Sequence, residues 1–147
     1  AMQASKAKKE FKQRKNELNE RAELLMKKLS IDGLGDRRIT EVSGGQLQRA
    51  CICRSMMNSP EILFADEPTG ALNKSASEEV MEALTALNRE GSTILMVTHD
   101  SRMASRCGRI LYLVDGQIQG ELSLGDEIAS LKEREERVGS WLTAMNW

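Results

Sequence analysis

Read from its N-terminus, the chain first repeats apolar residues at helical spacing. Ala4, Ala7, Phe11, Leu18, Ala22, Leu25 and Leu29 fall three, four or seven apart, and neither Gly nor Pro interrupts them. That period predicts one long helix over residues 4–29. Its apolar stripe is narrow and its other faces are charged, so it is expected to pack on one side only or to pair with another helix. From Glu61 onward the period changes. Ile62–Ala65 is a short, uninterrupted apolar run, the pattern of a strand buried on both faces. Ala76, Val80, Ala83, Leu84 and Leu87 then share one face of a helix expected over Ser75–Arg89, opened by a Ser75/Glu78 capping pair and followed by Gly91. Thr93–Thr98 reads as a second strand, a short helix follows, and Ile110–Val114 reads as a third strand. Asp115-Gly116 is a turn signal after which Gln117–Leu122 should return antiparallel. Ile128, Leu131, Val138, Leu142 and Met145 form the stripe of a helical tail over Asp126–Trp147, with Gly139 as its expected break.

Strands alternating with helices imply a parallel α/β sheet. Composition narrows the class without changing that picture. The chain has 147 residues, 40% hydrophobic and 29% charged, as in an ordinary globular domain. No run approaches the length needed to cross a bilayer, and no apolar core follows the basic N-terminus as a signal peptide would require. The net charge of −1 gives no overall drive toward nucleic acid. An aromatic content of 3% makes a base-stacking surface a poor expectation. Cys51, Cys53 and Cys107 are too few and too oddly spaced for a disulfide frame or a zinc site, and read as free thiols. Charge is uneven, however: residues 1–30 carry nine basic and four acidic side chains. Because the acidic ones are interspersed, a solvated helix face explains this better than a nucleic-acid or membrane surface.

Three segments carry candidate chemistry. Val42-Ser43-Gly44-Gly45-Gln46 opens a helix running to about Met57; Ser43 is a good N-cap, and the two glycines permit close approach to a helix N-terminus, which suits a phosphate. Ile62-Leu63-Phe64-Ala65-Asp66-Glu67-Pro68 delivers two adjacent carboxylates to a strand end, the ligand-facing side of an open α/β sheet. There Asp66 could hold Mg²⁺ through water and Glu67 could orient an attacking water. Val97-Thr98-His99-Asp100 places the only histidine of the chain at the end of the next strand.

Together, VSGGQLQRA, ILFADEPTGALN and MVTHD resemble, in order and spacing, the ATPase subunits of ABC transporters. Within that resemblance the first is the signature motif, the second the Walker B strand and D-loop, and the third the H-loop. DEPTGALN and RILYLVDGQI are most similar to the group that exports lipoproteins, macrolides and antimicrobial peptides. The implied fold class is α/β, an incomplete P-loop NTPase (RecA-like) parallel-sheet core. A helical signature subdomain would span residues 1–58, the C-terminal part of the core 59–122, and a helical tail 123–147. The resemblance also implies ATP and Mg²⁺ as cofactors. Transmembrane permease subunits and a second ATPase subunit, bound head to tail, are the implied partners, at the inner face of the cell membrane.

The family's P-loop, GxxGxGK followed by Ser or Thr, does not occur in this sequence. The chain therefore reads as a fragment of a longer subunit. In the family, signature and P-loop grip one nucleotide from two different subunits. Ser43, Gly44, Gly45 and Gln46 would thus contact ATP held by a partner, whereas Asp66, Glu67 and His99 would serve ATP held by their own P-loop. The isolated chain is expected to be inactive. At the end of the D-loop, where the family usually has Asp, this chain has Asn73, which is expected to alter coupling between the two sites. In the related fold the P-loop strand lies between the strands matching Thr93–Thr98 and Ile110–Val114, so unpaired edges and self-association are expected. The alternatives are a Rad50-type chromosome ATPase, with the first helix as a coiled-coil stump; a soluble ABC translation factor; and a non-catalytic half-site. The MVTHD–RILYLVDGQI style argues against the first, and TGALN against the second.

Overall fold

Helix α1 spans Met2–Lys28, close to the range its period predicts. The computed structural model describes residues 2–125 and 130–147, with side chains from Glu10 onward. Residues 10–20 of α1 are exposed throughout, Phe11 and Leu18 included. Only the last two turns are covered, through Arg21, Ala22, Leu25 and Met26. The helix ends because Ser30 turns left-handed (φ 55°). The Ser30 and Ile31 amides then return to the carbonyls of Lys27 (3.1 Å) and Met26 (2.9 Å), a Schellman stop with buried Leu29 and Ile31 beside it. The chain packs as two units, Ala1–Leu95 and Met96–Trp147.

In the first unit, two short 3-10 turns at Asp32–Leu34 and Ile39–Glu41 lead into α2, Gly44–Met56. Ser43 caps α2 as the sequence suggests. Strand β1 is Ile62–Asp66, helix α3 is Lys74–Arg89, and β2, Thr93–Val97, is the hydrogen-bonded neighbour of β1. Ile52, Cys53 and Met56 of α2 join Leu63 of β1 and Val80, Met81, Ala83, Leu84 and Leu87 of α3 in the buried core. The helix α3 begins earlier than predicted. Its cap is Asn73, whose Oδ1 accepts the Ala76 N–H at 2.9 Å, while Ser75 lies inside the first turn. Asn caps as well as Ser, and it stands in extended backbone (φ −71°, ψ 166°) at the entry.

The strands depart from expectation more sharply. Ile62–Ala65 was expected to be buried on both faces, but only alternate residues are covered. Leu63 is buried, whereas Ile62 is 47% and Phe64 73% exposed, and on β2 Leu95 and Val97 are 50% and 59% exposed. Period-two alternation puts these four on open strand faces. The described strands form two pairs, β1 with β2 and β3 with β4.

In the second unit, Asp100 caps the four-residue helix α4, Ser101–Ala104. Strands β3, Arg109–Val114, and β4, Gln117–Ser123, form the predicted antiparallel hairpin around Asp115 (φ 49°) and Gly116 (φ 75°). A bulge falls between Tyr112↔Gly120 and Leu113↔Ile118, leaving Gln119 unpaired in the register. Helix α5, Leu131–Ala144, is capped by Ser130. It runs straight through Gly139, so the expected break is absent; the neighbouring helical bonds outweigh glycine's weak propensity. The predicted tail residues Asp126 to Ala129 lie outside the described residues. Val138 and Leu142 of α5 close a small core with Leu124, flanked by Ile110, Tyr112, Leu122 and Trp141. Tyr112 and Trp141 meet edge to face at 6.3 Å. A Cβ on Gly120 would stand 2.8 Å from Met145 Cε and 3.1 Å from Trp141 Cζ2, so any side chain there would have to displace the Met145 methyl and crowd the Trp141 ring. Arg134 ties that helix down. Its Nε donates to the Ser105 carbonyl (2.8 Å), Nη1 to Gly125 (3.0 Å) and Nη2 to Cys107 (2.8 Å).

Candidate functional site

The turn at the head of α2 is a reciprocal capping box. Gln46 N–H donates to Ser43 Oγ (3.2 Å), and Ser43 N–H donates to Gln46 Oε1 (2.9 Å). Such a box fixes the backbone while leaving the earliest amides of the helix facing outward, where the dipole favours an anion. The two glycines answer to a neighbouring segment of the chain. Gly45 is buried, and a Cβ there would lie 2.9 Å from Ala76 Cβ. A Cβ on Gly44 would lie 3.1 Å from Leu72 Cδ2. Both neighbours belong to the segment that starts α3, so the head of α2 and the head of α3 lie side by side. Ser43, Gly44, Gly45 and Gln46 are thereby brought together with Asn73, which caps α3 between Leu72 and Ala76.

The acidic pair is connected to the same tip. Asp66 ends β1 and is exposed; Glu67 is half-buried with a left-handed backbone, φ 42°. A non-glycine residue in that region carries conformational strain, which is often found at sites that need a side chain in an otherwise unfavourable place. Two successive turns, Gly70 N–H to Glu67 O (3.1 Å) and Leu72 N–H to Thr69 O (3.0 Å), then carry the chain to Asn73 over buried Pro68 and Thr69.

His99 belongs to the second unit. It is exposed and sits between Thr98, whose Oγ1 accepts the Asp100 N–H (3.1 Å), and Asp100, whose Oδ1 accepts the Arg102 N–H (2.9 Å). Burial pushes the Asp100 carboxyl up, but its bonds and charge contact with Arg102 outweigh this and hold it below the usual aspartate value. Among the described residues, no group of three or more His, Cys, Asp or Glu side chains converges to hold a metal ion. Asp66 and Glu67 offer two carboxylates, a set that suits Mg²⁺ when phosphate and water complete its shell.

One pair escaped the sequence reading. Arg49 of α2 is only 6% exposed, and its Nη1 donates to Glu79 Oε2 of α3 in an ion pair. Its Nε is buried with no hydrogen-bond partner among the described residues. The signal was present: Gly45, Arg49, Ile52, Cys53 and Met56 are the buried residues of α2, and Arg49 is the charge in that stripe.

The family model described as "ABC transporter" matches residues 1–70. The macrolide export ATP-binding/permease protein MacB of Mannheimia succiniciproducens is 51% identical over 98 residues, covering 67% of this chain and 15% of that protein. The ABC transporter ATP-binding protein YxdL of Bacillus subtilis is 47% identical over 100 residues, covering 67% of this chain and 39% of its own length. The bacterial ABC transporter cassette MJ0796, solved as a dimer, is 40% identical with a TM-score of 0.59; the match covers 71% of this chain and 46% of that one. The chain thus spans less than half the length of each of these relatives. They are transporter proteins, and the chromosome-repair alternative finds no support among them. On its ordered motifs, its fold and these relatives, the chain belongs to the ATP-binding subunits of the ABC transporter family.

Proposed function

We propose that this chain supplies the signature half of an ATP site shared between two ATPase subunits of a transporter. The observation that carries the reading is the approach of Gly45 to Ala76, which places the Ser43–Gln46 turn beside Asn73 at two neighbouring helix heads. Unsatisfied amides and dipole at such heads suit the terminal phosphate of a nucleotide held by a partner. Ser43, Gly44, Gly45 and Gln46 would meet that phosphate, and Asn73 would lie at the junction between the two subunits. Asp66 would hold Mg²⁺ through water, and the ion would supply positive charge against the phosphates. Glu67 would orient and polarise a water, and His99 would stabilise the phosphate being released, both on nucleotide bound in cis. No P-loop occurs in this sequence to hold that nucleotide, so the chain alone should release no phosphate from ATP. Transmembrane permease subunits, and a place at the inner face of the cell membrane, follow from the same reading. Among the described residues no helix is long and apolar enough to cross a membrane, so the spanning helices would lie elsewhere.

The test has two arms. In the first, phosphate release from Mg·ATP is measured for the chain alone; turnover that Glu67→Gln abolishes would overturn the reading. In the second, the chain is titrated against YxdL, an ATP-binding relative, with and without Mg·ATP. Tighter binding with nucleotide is expected, and Ser43→Arg should remove the gain. A second reading, a docking half-site that never hydrolyses ATP, is favoured by the open strand faces at Ile62, Phe64, Leu95 and Val97. It predicts binding to YxdL with no gain in phosphate release above YxdL alone. The same faces should drive self-association, which sedimentation would detect as a mass rising with concentration.

A further inference from the structure

We propose that Arg49 and Glu79 are positioning residues whose ion pair locks the Ser43–Gln46 turn and the Asn73 turn into one rigid tip, so that nucleotide met at the first is felt at the second. The proposal rests on the half-site reading above and deepens it. Contacts between α2 and α3 follow the same order along both helices. Gly44 faces Leu72, Gly45 faces Ala76, and about one turn further on Arg49 reaches Glu79. Each member of the ion pair is the sixth residue of its helix, counted from Gly44 and from Lys74. The close glycine contact fixes how near the two heads stand, but small apolar surfaces resist sliding poorly. A directional bond set one turn back fixes their relative shift and rotation, which decide where Ser43 and Asn73 point.

The pair is built to matter. The Arg49 side chain is 7% exposed, while Glu79 is 52% exposed and open to water. The buried partner has no solvent to fall back on, and its Nε is already unpartnered. Losing the carboxylate therefore leaves a buried guanidinium without its counter-charge, and the helix that bears it must shift to bring the group toward water. Because α2 carries the signature turn at its head, such a shift moves the signature away from Asn73. The same pair removed from a site unrelated to nucleotide would only lower stability.

The experiment compares the affinity of the chain for YxdL with and without Mg·ATP, alongside thermal melting, for four proteins: the parent, Glu79→Gln, Arg49→Lys, and the exchange Arg49→Glu with Glu79→Arg. The ratio of the two affinities is the readout that a merely structural role leaves unmoved. Glu79→Gln should lower the nucleotide-dependent gain by about tenfold while the protein still melts cooperatively, as expected for a directly coupled pair. Arg49→Lys, which keeps the charge, should retain most of the gain. The exchange should restore part of what Glu79→Gln loses. A folded Glu79→Gln with the full parental gain would overturn this proposal and leave the half-site reading standing. A parent with no gain at all would overturn both.

Discussion

Replacing Gly45 by Ala sets two helix effects against each other. In an open helix the change would stabilise by about 1 kcal/mol through propensity. Here the new methyl would lie 2.9 Å from Ala76 Cβ and 3.5 Å from Ala76 Cα, so no rotamer change can relieve it and one helix has to move. Overpacking of that kind costs about 1–3 kcal/mol. The net expectation is a loss between about zero and 2 kcal/mol, with 1 kcal/mol lowering Tm by about 4–8 °C in a unit of this size. Ala76→Gly alone should cost about 1 kcal/mol, since it removes a good helix former. In the double variant the contact disappears, leaving two propensity changes that nearly cancel. The two substitutions should therefore couple by about 1–3 kcal/mol, measurable by urea unfolding followed by circular dichroism. A Gly45→Ala protein that melts above the parent, or two costs that simply add, would refute the packing argument. The signature glycines would then answer only to a ligand.

Other expectations test the second unit and the thiols. Gly120→Val should drive Met145 and Trp141 off β4 and weaken the near-ultraviolet signal of the Tyr112–Trp141 pair; an unchanged spectrum would count against the contact. Cys51 is exposed, whereas burial raises the Cys53 thiol, and burial, partly offset by Arg134, raises Cys107. A thiol reagent at neutral pH should therefore modify Cys51 first, as mass spectrometry can follow; equal rates at all three would contradict the assigned burial. Because the Asp100 carboxyl is held below its unfolded value, its contribution to the α4 cap is present above the unfolded value. That contribution is lost as pH falls through the folded one. Asp100→Asn should flatten the acid limb of a stability–pH curve slightly, as the group is largely solvent-screened.

Local chemistry was legible in the sequence wherever one residue decides the outcome. Ser43 before two glycines gave the cap of α2, and Asp115-Gly116 gave the hairpin. Where two residues of similar capping strength compete, as Asn73 and Ser75 do, local pattern alone chose the wrong one. Exposure of Phe64 and Val97 was not readable either, because an apolar run reports that a strand prefers cover and not whether cover is present. Gly45 illustrates the same limit from the other side. Its sequence context suggests room for a ligand, and only the tertiary fold reveals the methyl of Ala76 behind it. Arg49 was passed over because charge is ordinarily a mark of the surface, so a buried guanidinium becomes visible only once α2 has a stripe to belong to.

Residue 67 carries a warning for anyone engineering this chain. With φ at 42°, the position is one that glycine adopts freely, and Glu67→Gly would relieve roughly 1 kcal/mol or more of backbone strain. Where that relief exceeds what the Glu67 side chain contributes through its own contacts, a thermostability screen run on the isolated polypeptide would reward that replacement and delete the carboxylate. If Glu67 polarises water as proposed, selection for heat resistance and selection for work on a phosphate would pull this one residue in opposite directions.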